Sequence, residues 1–369
     1  MKHMMRLLWE KTGKEEVRLL RVYGETSEVV IPAYIENAPV TEIGSYCFSA
    51  SERLLGKLFH TTEMVIEDHS SGSSIQETGS FDNNSIKKKS TGENSATENN
   101  RIVLRTIAGD DLVKICLPDT VRIIDNAAFY NCRKLESLEV GPNTKQIGSD
   151  VFINCNSLGQ LHIRCRDYQA ESAKALLSRI STELEVYYYE TVKDTEGREE
   201  AEKKHLFASI LYPEYFETYD EIAPAHIFGK QIEGEGFRAR QCFKEGQILF
   251  GEYDKIFQKA KAEETVLTVG RMCMYRLLFP IELAEEVKGN YETFLKENEQ
   301  EIGQYFVKEK NKAAVEYFFR KKLLSYGAID TFITCATKLQ WSEGVSFMLH
   351  WKHQFYEKTQ KKVYKFEPL

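Results

Sequence analysis

Between residues 112 and 163 the chain writes one phrase twice. Ile124, Phe129, Cys132, Leu135 and Leu138 recur 23 positions later as Ile147, Phe152, Cys155, Leu158 and Leu161. A period of roughly 20 to 50 residues marks a solenoid, because each unit can bury its apolar side only against a neighbouring copy. A third unit fits the same frame upstream. Phe48 follows Ile43 by five residues and Leu54 follows Phe48 by six, the spacings of Ile124, Phe129 and Leu135. Earlier still, Leu7-Leu8-Trp9 and the stretch from Val17 to Tyr23, ending at Gly24, read as a hairpin that covers the first end of the stack.

Several positions recur together: Ile31-Pro32, Val40-Thr41, Ile43-Gly44, Leu117-Pro118, Phe129, Cys132, Phe152 and Cys155. In this pattern, over roughly residues 17–165, the chain resembles the BspA-type leucine-rich repeat family. The resemblance implies a short solenoid with a β-ribbon face that serves as a recognition surface. Many members are secreted surface proteins. Here the apolar stretch near Met1 is only three residues long, too short for the core of an export signal. No apolar run reaches the roughly 18 residues that span a bilayer, so a cytoplasmic location, and a surface adhesin only as an alternative, are expected.

The repeat is interrupted between Leu58 and Leu112. Residues 67–100 are rich in Ser, Thr, Asn and Gly, which predicts an unstructured tract. The flanks, from Leu58 to Ile66 and from Arg101 to Thr106, read as strands that leave the solenoid and return. After Ile163 the spacing predicts a helix within 168–180 and a strand over 184–189. A charged linker is expected at 191–202. Residues 203–369 are then expected to be an all-α, helical-repeat-like domain resembling ankyrin arrays in architecture only, the T-P-L-H signature being absent. In that part Val315, Phe318, Phe319 and Leu323 form one stripe, with Gly327 as its stop. Ile329, Phe332, Ile333 and Ala336 form a second, and Ser342 is the expected N-cap of a third with Val345, Met348 and Leu349. The fold class is therefore α+β: a solenoid over 1–190 followed by helices.

Candidate functional residues are few. On a strand reading L-x-x-L-x-V the leucines and valine point inward, leaving two outward columns. These are Lys114, Ser137 and Gln160, and Cys116, Glu139 and His162. Gly234-Glu235-Gly236 followed by Arg238 and Arg240 is either an anion cradle or, as favoured here, a turn into an amphipathic segment. His350 and His353 share a helical face without the intervening Glu of a zinc motif, and none of the eight cysteines forms a C-x-x-C pair, so no metal site is expected. No spacing brings Cys242, Cys273 or Cys335 to His205 or His226, and the aromatics from Tyr212 to Tyr219 and from Tyr253 to Phe257 read as helical core. A net charge of −7 argues against nucleic acid as a partner. The sequence thus points to a non-enzymatic, cofactor-free scaffold that binds other proteins, neither nucleic acid nor membrane. A ligand pocket or enzyme within 203–270 is the alternative.

Overall fold

Each copy of the repeated phrase forms one coil carrying two short strands. The computed structural model describes residues 2–13, 15–51, 60–67, 75–80, 104–192, 203–222 and 227–356. The chain opens with β1 (Lys2–Lys11) and β2 (Val17–Gly24), an antiparallel pair. Next come β3 (Glu28–Val30), β4 (Tyr34–Ile35) and β5 (Ala38–Ile43), then an excursion of β6 (His60–Glu67), β7 (Ile75–Ser80) and β8 (Arg105–Thr106). The coils resume with β9 (Lys114–Cys116), β10 (Ile123–Ile124), β11 (Ser137–Val140), β12 (Gln146–Ile147) and β13 (Gln160–Cys165). A short helix, α1 (Glu171–Leu177), and β14 (Leu184–Val192) complete a solenoid of about five turns.

Two ribbons run along it. The short ribbon stacks β2, β5, β10 and β12 in parallel, and the long ribbon stacks β3, β9, β11, β13 and β14 in parallel. Between them the repeated side chains stack like on like. Phe48, Phe129 and Phe152 form a ladder with ring centroids 5.2 and 5.7 Å apart and planes within 6° of parallel. The Cys132 thiol donates to the Phe48 carbonyl at 3.2 Å, and Cys155 donates to Phe129 at 3.1 Å. The recurrent cysteine therefore closes each coil onto its predecessor. Three residues after each repeat isoleucine the backbone turns left-handed, at Tyr46, Ala127 and Asp150. Asn131 and Asn154 do so again later in the coil, a conformation asparagine adopts at little cost, and the Asn154 amide donates to Asn131 at 2.7 Å. The upstream unit belongs to this stack, although Leu54 lies outside the described residues.

The excursion differs in part from expectation. The flanks are strands as read: β6 lies antiparallel to β1, and β8 to the end of β2. Yet β7 falls inside the tract expected to be unstructured, and it pairs antiparallel with β6. An open strand edge can order a polar segment through backbone bonds alone, which composition does not report. The rest of 67–100 lies outside the described residues.

The larger correction concerns 203–233, expected to be helical. β15 (Lys203–Tyr212) continues the long ribbon antiparallel to β14, and β16 (Phe216–Ile222) and β17 (Ile227–Glu233) form a separate hairpin. From Phe207 to Tyr212 every residue is buried, because β15 packs between the solenoid and the helices. A strand covered on both faces shows a continuous apolar run and loses the alternation that identifies strands. Most of the expected linker, 193–202, lies outside the described residues.

Helices follow: α2 (Gly236–Ala239), α3 (Phe250–Asp254), α4 (Phe257–Glu263), α5 (Val266–Leu278), α6 (Glu285–Glu297), α7 (Glu299–Lys308), α8 (Lys312–Arg320), α9 (Tyr326–Lys338) and α10 (Ser342–Trp351). The first two stripes face the core as read, while Leu349 is exposed. The stop signals differ. Gly327 lies inside α9, and the chain leaves α8 through Lys322, two residues past Arg320 and left-handed at φ 54°. Lys310 and Gln340, two residues past the ends of α7 and α9, take the same conformation. In each case the next N–H reaches back five residues, Asn311 to Phe306, Leu323 to Phe318 and Trp341 to Ala336, closing the last turn without glycine. Ser342 is the first residue of α10, whose N-cap position is Trp341. At the crossing of α7 and α9, a Cβ on Gly303 would stand 2.0 Å from the Phe332 ring, so only glycine permits that approach.

A candidate recognition face

The register of the long ribbon aligns both predicted columns. Lys114, Ser137 and Gln160 are direct neighbours across β9, β11 and β13, and Cys116, Glu139 and His162 form the second row. The columns extend further than the sequence reading carried them. Glu28 and Val30 precede them on β3, and Glu185 and Tyr187 follow on β14.

The two ends of this face are chemically different. At the early coils Lys114 pairs with Glu28 at 3.0 Å, both side chains about half exposed, and Val30 is 44% exposed. Gln160 is exposed, whereas Ser137 is buried between its neighbours. Further along, the second column is held by its own chain. Arg164 is buried and reaches Asp119 at 2.6 Å, Glu139, and the Leu117 carbonyl, tying successive coils together. Lys204 of β15 also donates to Glu139. Burial alone would raise the Glu139 pKa, but Lys204 and Arg164 hold it below the usual carboxylate range. His162 stacks on Tyr187 with centroids 4.9 Å apart, and its Nδ1 lies 3.1 Å from the Tyr189 hydroxyl. Burial lowers its pKa, so the ring is neutral near pH 7.

At the last coil the face is closed. Glu185 is buried and accepts from Tyr187 at 2.6 Å, from Arg271 at 2.6 Å, and from Tyr275. Arg271 also binds Glu183, so α5 is clamped across the end of the ribbon.

Part of this solenoid is similar to the BspA-type leucine-rich repeats. Residues 100–173 match the family model described as BspA type leucine rich repeat region (6 copies). No curated protein and no solved structure matches the chain. The matched segment contains β9, β11 and β13, the strands that carry all six predicted ribbon residues.

The structure uses Arg240 as a buried tie, while Arg238 is an exposed side chain. Arg240 is buried and donates to the carbonyls of Ile180 at 2.8 Å, Pro213 at 2.6 Å, Thr182 at 2.6 Å and Gly236 at 2.9 Å. Its guanidinium also lies over Tyr215, 5.1 Å from the ring centre. Burial lowers its pKa to about 10, which leaves it charged at neutral pH. Arg238 pairs with Glu235 at 2.7 Å. The string is therefore a turn and a locking arginine.

Burial pushes the thiols of Cys47, Cys155, Cys165 and Cys242 up to about 12, far from the thiolate that nucleophilic chemistry requires. Among the described residues, no group of three His, Cys, Asp or Glu side chains is placed to hold a metal ion, and no helix is long and apolar enough to cross a membrane. His226 lies outside the described residues. The sequence reading missed one feature, an open cleft of about 830 Å³ on the short ribbon. Arg122 and Lys145 line it, at one repeat position 23 residues apart, with Glu16 and Glu42 opposite in charge. That spacing was available in the sequence. The pair sits just ahead of β10 and β12, two-residue strands too short to show alternation.

Proposed function

We propose that the chain is a non-enzymatic, protein-binding scaffold that grips its partner with the exposed first column of the long ribbon, Glu28, Lys114 and Gln160, and with Val30 beside it. One observation carries this reading. The first column is exposed at Glu28, Lys114 and Gln160, with Val30 exposed beside it, while the chain's own Arg164 and Lys204 take up Glu139 in the second column and Arg271 takes up Glu185 at the last coil. The open part combines both charge signs with an apolar residue, a composition suited to a protein surface. The helical region then acts as a fixed second part that closes the far end of the ribbon.

The test is comparative capture from native-host extract, with quantitative mass spectrometry, by the unmodified chain and by a Lys114→Glu, Gln160→Lys variant. Both side chains are exposed, so the variant should melt within a degree or two of the parent. Loss of specific partners at unchanged stability supports the ribbon reading. An identical partner set from both chains contradicts it.

A further inference from the structure

The hairpin of β16 and β17 is structurally incomplete. Its strands pair with each other over seven positions and with no other strand among the described residues. Tyr219 and Ile232 share one face and are 61% and 39% exposed, while Phe216, on the opposite face, is 57% exposed. Neither face is therefore fully packed, and a lone two-stranded hairpin is at best marginally stable in water. Its root, by contrast, is fastened. Tyr215 is buried, its N–H donates to the Ser181 carbonyl at 3.0 Å, and it packs edge-on against Phe237 and beneath Arg240.

The charge of the arm is one-sided. Residues 214–233 contain Glu214, Glu217, Asp220, Glu221 and Glu233 against His226 and one lysine, Lys230, which is already paired with Glu217 at 2.8 Å. An acidic arm repels a second copy of itself and any nucleic acid, but it attracts a cation-bearing strand.

We propose that this hairpin is a docking arm for a basic, extended segment of a partner protein, which adds a third strand and covers Tyr219 and Ile232. Open strand edges supply the backbone bonds, the apolar pair supplies burial, and the carboxylates select lysine or arginine at alternate positions. This surface is distinct from the ribbon face, and either proposal can fail without the other.

The experiment titrates the full chain with a labelled eight-residue peptide of alternating lysine and valine, with a glutamate–valine peptide as control, read by fluorescence anisotropy and amide hydrogen exchange. The lysine peptide is expected to bind and slow exchange in β16 and β17, and the glutamate peptide is not. Tyr219→Ser with Ile232→Ser should weaken binding about tenfold or more. A second variant, Glu217→Lys with Glu233→Lys, should transfer preference to the glutamate peptide. The proposal is overturned if neither peptide binds, if protection appears elsewhere, or if both variants bind the lysine peptide as the parent does. It is also overturned if sedimentation shows a dimer that the Tyr219 and Ile232 variant abolishes, since the arm would then belong to a second copy.

Discussion

The solenoid and the helical region bury charge in opposite ways. In the solenoid Arg164 is shared among coils, so Asp119, Glu139 and the Leu117 carbonyl each hold part of it. In the helical region Arg276 is 1% exposed and meets Asp254 in a two-pronged pair at 2.8 and 2.9 Å, with Tyr291 donating to the same carboxylate. Arg164 ties together successive coils, whereas Arg276 keeps its contacts to α3 and to the Phe279 and Ile281 carbonyls just past the end of its own helix. Failure should therefore spread through the coils but stay local among the helices.

The largest effects test this contrast directly. Phe129→Ala removes the middle ring of the ladder and should cost about 4 kcal/mol. Asp254→Ala strands a buried arginine and should cost a similar amount, about 3–5 kcal/mol. Chemical denaturation gives the totals, and hydrogen exchange gives their location. Phe129→Ala should loosen the coils on both sides, while Asp254→Ala should loosen α3, α5 and α6. Equal spreading from both substitutions would erase the distinction.

A smaller effect is expected at the joint. Burial raises the Glu185 pKa, but Tyr187, Tyr275 and Arg271 lower it by more, so the net shift is downward. A carboxyl with a depressed folded pKa stabilises fully above its unfolded value, roughly 4.3, and loses that contribution as pH falls through the folded value. Acid titration of the parent should therefore show a stability loss below about pH 4 that Glu185→Gln diminishes. An unchanged acid profile in that variant would mean that the clamp contributes nothing measurable.

At the weakest end, Asn131→Ala should cost about 1 kcal/mol, through the left-handed backbone and the lost Asn154 bond, whereas Asn131→Gly should cost less. Equal losses for alanine and glycine in thermal melts would show that the side-chain bond, rather than the backbone, holds that corner.

How much of this was legible depended on whether the signal repeats. The Phe129 and Phe152 pair and the two outward columns follow from 23-residue spacing, and Phe48 joins them through the same five-residue offset from its isoleucine, because identical environments select identical side chains. Interactions made once left no such trace. Arg164 reads as an ordinary surface residue until the register places it over Asp119 and Glu139. β15 loses its alternation under two-sided burial, and helix ends at Lys310, Lys322 and Gln340 carry no glycine to announce them. Of the candidate residues, Lys114 and Gln160 stayed exposed as read. Ser137, Glu139 and His162 are partly or wholly taken up by the fold, which only the three-dimensional packing reveals.

The most direct test of the central claim places a photo-crosslinking residue at position 114 or 160 on the long ribbon, and at 122 or 145 on the short one, in the native host. The account predicts discrete protein adducts from 114 and 160 and few from 122 and 145. Adducts confined to 122 and 145 would contradict it and move the gripping surface to the short ribbon.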